Sequence, residues 1–285
     1  MTSYGVAPKS LGKLPFHVTN HRFDGSEECP LKMTAQHLPR KLKADAILEA
    51  LFEIRFSSNL PAEVVVGVVA GSSPFGNAKT VRLPGADIPH HIRSVEADLK
   101  YVPSIQIEPL AQEGKKFVIR VGPNAMSYHS LAPYPGWDIF KADLSKFTQW
   151  LFAAGVSPKV EGLGLRYVNA LRQGLHGVSG MNDLRLKISF GDSGELDKFH
   201  INYEIDAKKL GTAIVNIAHP EKVAGPLPAD TACFVDVDVK SLPAATPSTD
   251  EDVRAWLEEA HALEKKCFFS LLTQEKIEAM EKKDA

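Results

Sequence analysis

An α+β fold is predicted for this chain: a curved antiparallel sheet covered on one face by two long helices, helix-grip-like or barrel-like. Three observations predict it. Period-two alternation recurs in short runs bounded by turn residues, as in FEIRF at 52–56 and HINYEID at 200–206. Two longer stretches, 136–156 and about 249–270, instead space their apolar residues three and four apart. The order strand, variable insert, three or four antiparallel strands, long helix then occurs twice, in halves 44–156 and 157–285 of a single unit.

Taken in order, residues 1–43 mix Pro, Ser, Lys and His without periodicity and read as a poorly ordered arm. Its His17, His21, Cys29 and His37 match no zinc spacing. ILEALFEIRFS (47–57) alternates Phe52, Ile54 and Phe56 with Glu53 and Arg55, as a half-buried strand does. PAEVVVGVVAGS (61–72) opens on Pro and closes near Gly71, which predicts a short helix despite its β-branched residues. The Pro- and Gly-rich stretch 73–97 reads as a long loop with one extended piece, its His90–His91 pair exposed. Segments 104–110, 116–122 and 125–131 read as a meander, and 136–156 as an amphipathic helix ended by Gly155. In the second half, strands are expected at 160–171, 184–190, 198–206, 211–218 and 232–240. A helix begins at Thr249 or Asp250, and Thr273 caps a short terminal one.

Composition excludes several classes. The 33 basic and 35 acidic side chains nearly cancel, so no global field favours nucleic acid or a membrane surface. No basic stripe with interleaved aromatics appears outside the arm, which makes nucleic acid an unlikely partner. The longest apolar runs fall far short of the roughly 20 residues a bilayer needs, and no secretory h-region opens the chain. Three widely spaced cysteines without a CxxC pair suggest neither disulfides nor a thiolate metal site, so a cytoplasmic setting without metal is expected. GxSxG, P-loop, HExxH and Rossmann fingerprints are all missing.

Strand parity then sorts the polar groups. Glu53, Arg55, Gln106, Glu108, Lys116, Arg120, Arg185, Lys187, His200, Asn202, Glu204, Asp206, Asp236 and Asp238 all alternate with apolar partners, so one face of the sheet is charged. Such a face is ordinarily solvated, with opposite charges paired across strands. In GLGLRYVNAL (162–171), Asn169 falls on the apolar side and must find partners, while Arg166 among small residues has room to reach Glu53 or Glu108 bidentately. Tyr134 and Trp137, beside the start of the helix at 136–156, could seat that helix or hold an anionic or aromatic ligand. The expected binding residues are therefore Arg55, Arg120, Arg166, Asn169, Tyr134 and Trp137.

A partial likeness exists to the triphosphate tunnel enzymes, whose first strand alternates glutamates and ends in a basic residue. Glu49, Glu53 and Arg55 fit, but Leu51 stands where that pattern wants a glutamate. The likeness implies an alternative reading: a phosphohydrolase or nucleotidyl-transfer enzyme with a charged tunnel. Glu53, Glu108 and Glu204 would hold Mg²⁺, and Arg55, Arg120, Arg166 and Lys187 the phosphates. A broader resemblance runs along the chain. EALFEIRF, IQIEPL, VGPNAMSYHSLAPYPGWDIF, LGLRYVN and FFSLLTQEKIEAM resemble, in that order, a sporadically distributed prokaryotic family of uncharacterised function, over about residues 44–281. The resemblance implies an intracellular single-unit protein and assigns no catalytic residue. The leading expectation is a non-enzymatic binding or regulatory module for a small ligand or a protein partner, alone or as a homodimer.

Overall fold

In the computed structural model the residues described are 38–39, 41–76, 78–109, 116–186, 188, 191, 196–243 and 247–282. Most of the expected arm, with His17, His21, Cys29 and His37, lies outside them, as does Lys187. Within the described residues, the backbone at 41–43 is tied to that at 280–282. Lys43 N donates to Met280 O at 2.8 Å and Lys282 N to Lys41 O at 2.9 Å.

Among the described residues, nine antiparallel strands make one sheet: β1 (Ile47–Ser57), β2 (Ala78–Arg82), β3 (Ile105–Pro109), β4 (Lys116–Val121), β5 (Ala125–Leu131), β6 (Lys159–Arg172), β7 (His200–Asp206), β8 (Thr212–Ala218) and β9 (Thr231–Lys240). Their order is β2-β3-β4-β5-β1-β6-β9-β8-β7. On each side of the central β1–β6 pair the rule is the same: the first strand of a run pairs with its last, and the rest follow backwards to the end of the sheet. A barrel is thereby corrected to an open sheet, since β2 and β7 close its two ends instead of pairing with each other.

Parity follows the alternation of β1, in which Ala50, Phe52, Ile54 and Phe56 are fully buried while Glu49, Glu53 and Arg55 are not. Full burial of each such aromatic or aliphatic side chain contributes about 1.5–3 kcal/mol. Helix α1 (Ala62–Gly71) buries Val65 and Val69. Helix α4 (Trp137–Ala153) packs on β5, and its Phe147 meets Phe52 of β1 edge to face at 6.1 Å. Helix α6 (Asp250–Ser270) lies on β6, β8 and β9. Thr249 accepts from Asp252 N at the start of α6, and Thr273 does the same for Lys276 N at α7 (Gln274–Met280).

Two expectations fail locally. The stretch after β2 is not a long loop: it holds a 3₁₀ turn at Pro84–Asp87 and short helices α2 (His90–Val95) and α3 (Ala97–Lys100). Proline's fixed φ suits the first position of a turn, where Pro84 stands, and Pro89 caps α2 from just before it, its carbonyl accepting from Arg93 N at 3.1 Å. The strand expected at 184–190 is absent among its described residues. Leu184 is buried, and Arg185 N donates to Leu271 O at 2.8 Å, so at Arg185 the chain is bound to the end of α6. A one-turn helix, α5 (Gln173–His176), follows β6.

Candidate functional site

The central strands carry different chemistry on their two faces. On the helix side, a cavity of about 890 Å³ opens beside the β1–β6 pair, between the start of α4 and the second half of α6. Its polar wall comes from α6. His261, Glu264 and Phe268 recur at the three-to-four spacing that puts them on one side of a helix. Glu264 occupies a slot in the same buried stripe as Val253, Trp256, Leu257, Ala260 and Cys267, and is only 5% exposed. No hydrogen bond or ion pair reaches its carboxyl from the described residues. Burial pushes that carboxyl up to about 8, so it is protonated at neutral pH. His261 is the complementary case: burial lowers its imidazole to about 4, and its Nδ1 is buried without a hydrogen-bond partner among the described residues.

Aromatic rings frame these two groups. Trp137, the first residue of α4, stacks on His261 with ring centroids 3.9 Å apart and planes 13° apart. Tyr134 and Tyr167 share a hydroxyl contact at 3.2 Å, and desolvation raises both phenols. Glu258 of α6 accepts from Trp137 Nε1 at 3.3 Å and from Lys141 Nζ at 2.7 Å, which fixes the indole against α6. Gly136, at φ +92°, turns the chain into α4 at the cavity wall. Asn169 also lines the cavity, is 2% exposed, and donates from Nδ2 to Tyr167 O at 3.3 Å. Three of the six expected binding residues, Tyr134, Trp137 and Asn169, thus meet in one place.

The other three lie on the opposite face. Arg166 does not reach Glu53 or Glu108; it forms a two-pronged pair with Asp236 of β9, Nε to Oδ1 and Nη2 to Oδ2 both at 2.7 Å. The register that pairs Arg166 with Asp238 and Val168 with Asp236 puts this carboxylate diagonally beside the guanidinium. Arg55 donates to Glu53 at 2.6 Å and lies over the Tyr101 ring. Arg120 donates from Nε to Gln106 Oε1, whose amide in turn donates to Glu108. The face is mainly a lattice of in-plane pairs.

The three carboxylates of the tunnel reading do not converge. At about 4.8 Å per strand step, Glu53 on β1 is about 14 Å from Glu108 on β3 and about 19 Å from Glu204 on β7. Among the described residues no group of three or more His, Cys, Asp or Glu side chains is arranged to hold a metal ion. No helix among them is long and apolar enough to cross a membrane.

At the centre of the same face sits a relay absent from the sequence reading. Ser127 and His129 alternate onto it from β5, and Ser127 Oγ lies 2.8 Å from His129 Nε2. Glu49 of β1, paired with Leu131, reaches back diagonally so that its Oε1 lies 2.6 Å from His129 Nδ1. The hydrogen bond from His129 holds the Glu49 carboxyl below its usual range, with Arg120 and Arg166 adding to the effect against the cost of burial. An ionised carboxylate only accepts, so Nδ1 carries a proton, and in the neutral ring Nε2 accepts from the Ser127 hydroxyl.

Compared with known proteins, the chain matches no protein-family model and no curated protein. The site is therefore read from its own chemistry. Two signals in the letters pointed to what was missed: a glutamate in the apolar stripe of a long helix, and a Ser-x-His spacing in a strand.

Proposed function

We propose that this chain is a binding or regulatory module that holds a small molecule in the cavity beside β1 and β6, gripped between the sheet and helices α4 and α6. The observation that carries this reading is Glu264, a residue only 5% exposed, whose carboxyl lines a cavity of about 890 Å³ with no hydrogen-bond partner among the described residues. A buried polar group left unpaired costs about 1–3 kcal/mol, a cost that a ligand removes on binding. Protonated, the carboxyl offers one donor and one acceptor side by side. Such a pair complements the edge of an amide or of an uncharged nitrogen heterocycle, and the flat Trp137–His261 stack supplies a surface for a planar body.

The test is a thermal-shift screen of uncharged planar amides and heterocycles, nicotinamide and the free purine and pyrimidine bases among them. Compounds that stabilise the wild type should lose most of that shift in Trp137→Ala and Glu264→Leu, and should bind more weakly as pH rises through about 8. A panel that leaves the melting temperature unmoved, or shifts that survive both substitutions, would refute the reading.

A further inference from the structure

Beyond ligand binding in the cavity, the open face carries a second arrangement with its own chemistry. We propose that Ser127, His129 and Glu49 form a nucleophile, base and carboxylate relay that hydrolyses short aliphatic esters. The geometry has the three relations such a relay requires. A hydroxyl meets one imidazole nitrogen at 2.8 Å, a carboxylate meets the other at 2.6 Å, and the two contacts use opposite nitrogens of one ring. The surroundings supply the rest. Arg120 lies directly across β4 from Ser127, and only its Nε is engaged among the described residues, by Gln106 at 3.1 Å. Its terminal nitrogens are the donors nearest in register to an oxyanion forming at Ser127. Leu51 and Val118 are the cross-strand neighbours of His129 on either side, and both are partly exposed. They offer an apolar shelf for a short acyl chain. Ser127 and His129 are themselves only 8% and 5% exposed, and solvent reaches the edge of the network at Glu49 and Arg166, whose side chains retain 32% and 41% exposure.

The reaction balances without any other cofactor. Ser127 Oγ bonds to the ester carbonyl carbon as its proton passes to His129 Nε2. Collapse breaks the bond to the alcohol oxygen, which leaves with that proton. Water then repeats the sequence, its proton going to Nε2 and on to Ser127 Oγ as the carboxylic acid departs. Glu49 touches no reacting atom; it is a positioning residue that holds the tautomer.

The experiment uses the full chain, a biotinylated fluorophosphonate and p-nitrophenyl acetate. Wild type should label stoichiometrically, with the adduct mapped by mass spectrometry to Ser127, and should hydrolyse the ester. Ser127→Ala, which removes one oxygen and keeps the strand, should abolish both. Glu49→Gln should lower the rate about 100-fold or more and displace the pH profile, because a neutral amide no longer dictates which ring nitrogen is protonated. No labelling of the wild type, an adduct on another residue, or hydrolysis that persists in Ser127→Ala overturns the assignment.

Discussion

Glu264 and Asp236 are buried almost equally, at 5% and 4% exposure, yet they are handled in opposite ways. Asp236 takes two charge-assisted hydrogen bonds from Arg166, and a longer one from Asn216 Nδ2 at 3.4 Å. Glu264 takes none from the described residues and is pushed up to about 8. Burial alone therefore does not separate framework from function. Pairing separates these two: Asp236 is satisfied within the sheet, and Glu264 faces the cavity in which a ligand is proposed to bind.

The largest effect expected from breaking this contrast is at Glu264. Its folded-state pKa lies above the unfolded value of 4.5, so its contribution to stability is full below that value and is lost as pH rises through about 8. Wild type should lose about 4 kcal/mol over that window, and Glu264→Gln should lose little. Urea unfolding at pH 5 and pH 9 checks this; equal slopes in the two proteins would remove the contrast. Next comes Arg166→Met, which strands Asp236 and should cost about 3 kcal/mol. Adding Asp236→Leu should return most of that loss, as a double-mutant cycle would show.

His261 sharpens the comparison from the acid side. Its folded pKa is depressed to about 4, so its stability is present above 6.5 and lost as pH falls through about 4. Acid titration of His261→Phe should show a shallower fall. The smallest effect is expected far from both carboxylates. Thr249→Ala removes the cap contact to Asp252 N at 3.1 Å and should cost about 1 kcal/mol at every pH between 5 and 9.

Much of this was legible in the letters, and the boundary is physical. Alternation is local, so the buried parity of Phe52, Ile54 and Phe56 and the charged face opposite could be read from β1 itself. Helical spacing marked α4 and α6 for the same reason. Partners across strands are not local. That Arg166 meets Asp236 depends on the β6–β9 register, and that Glu49 meets His129 depends on the β1–β5 register. The cavity gathers residues from β6, α4 and α6, so Tyr134, Trp137 and Asn169 could be named singly but not assembled. The failed strand at 184–190 shows the reverse error. Its alternation was real, but Leu184 is buried next to a 3₁₀ turn and Arg185 N bonds to Leu271 O at the end of α6.

The central pairing of β1 with β6 joins two runs of strands whose other pairings stay within each run, each folding back from its first strand to its last. The joint between them passes through Ser157, exposed and at φ +45°. Cut there, the protein becomes two fragments whose missing partner is the same long antiparallel edge, a natural design for a split reporter that regains its cavity only when both pieces meet.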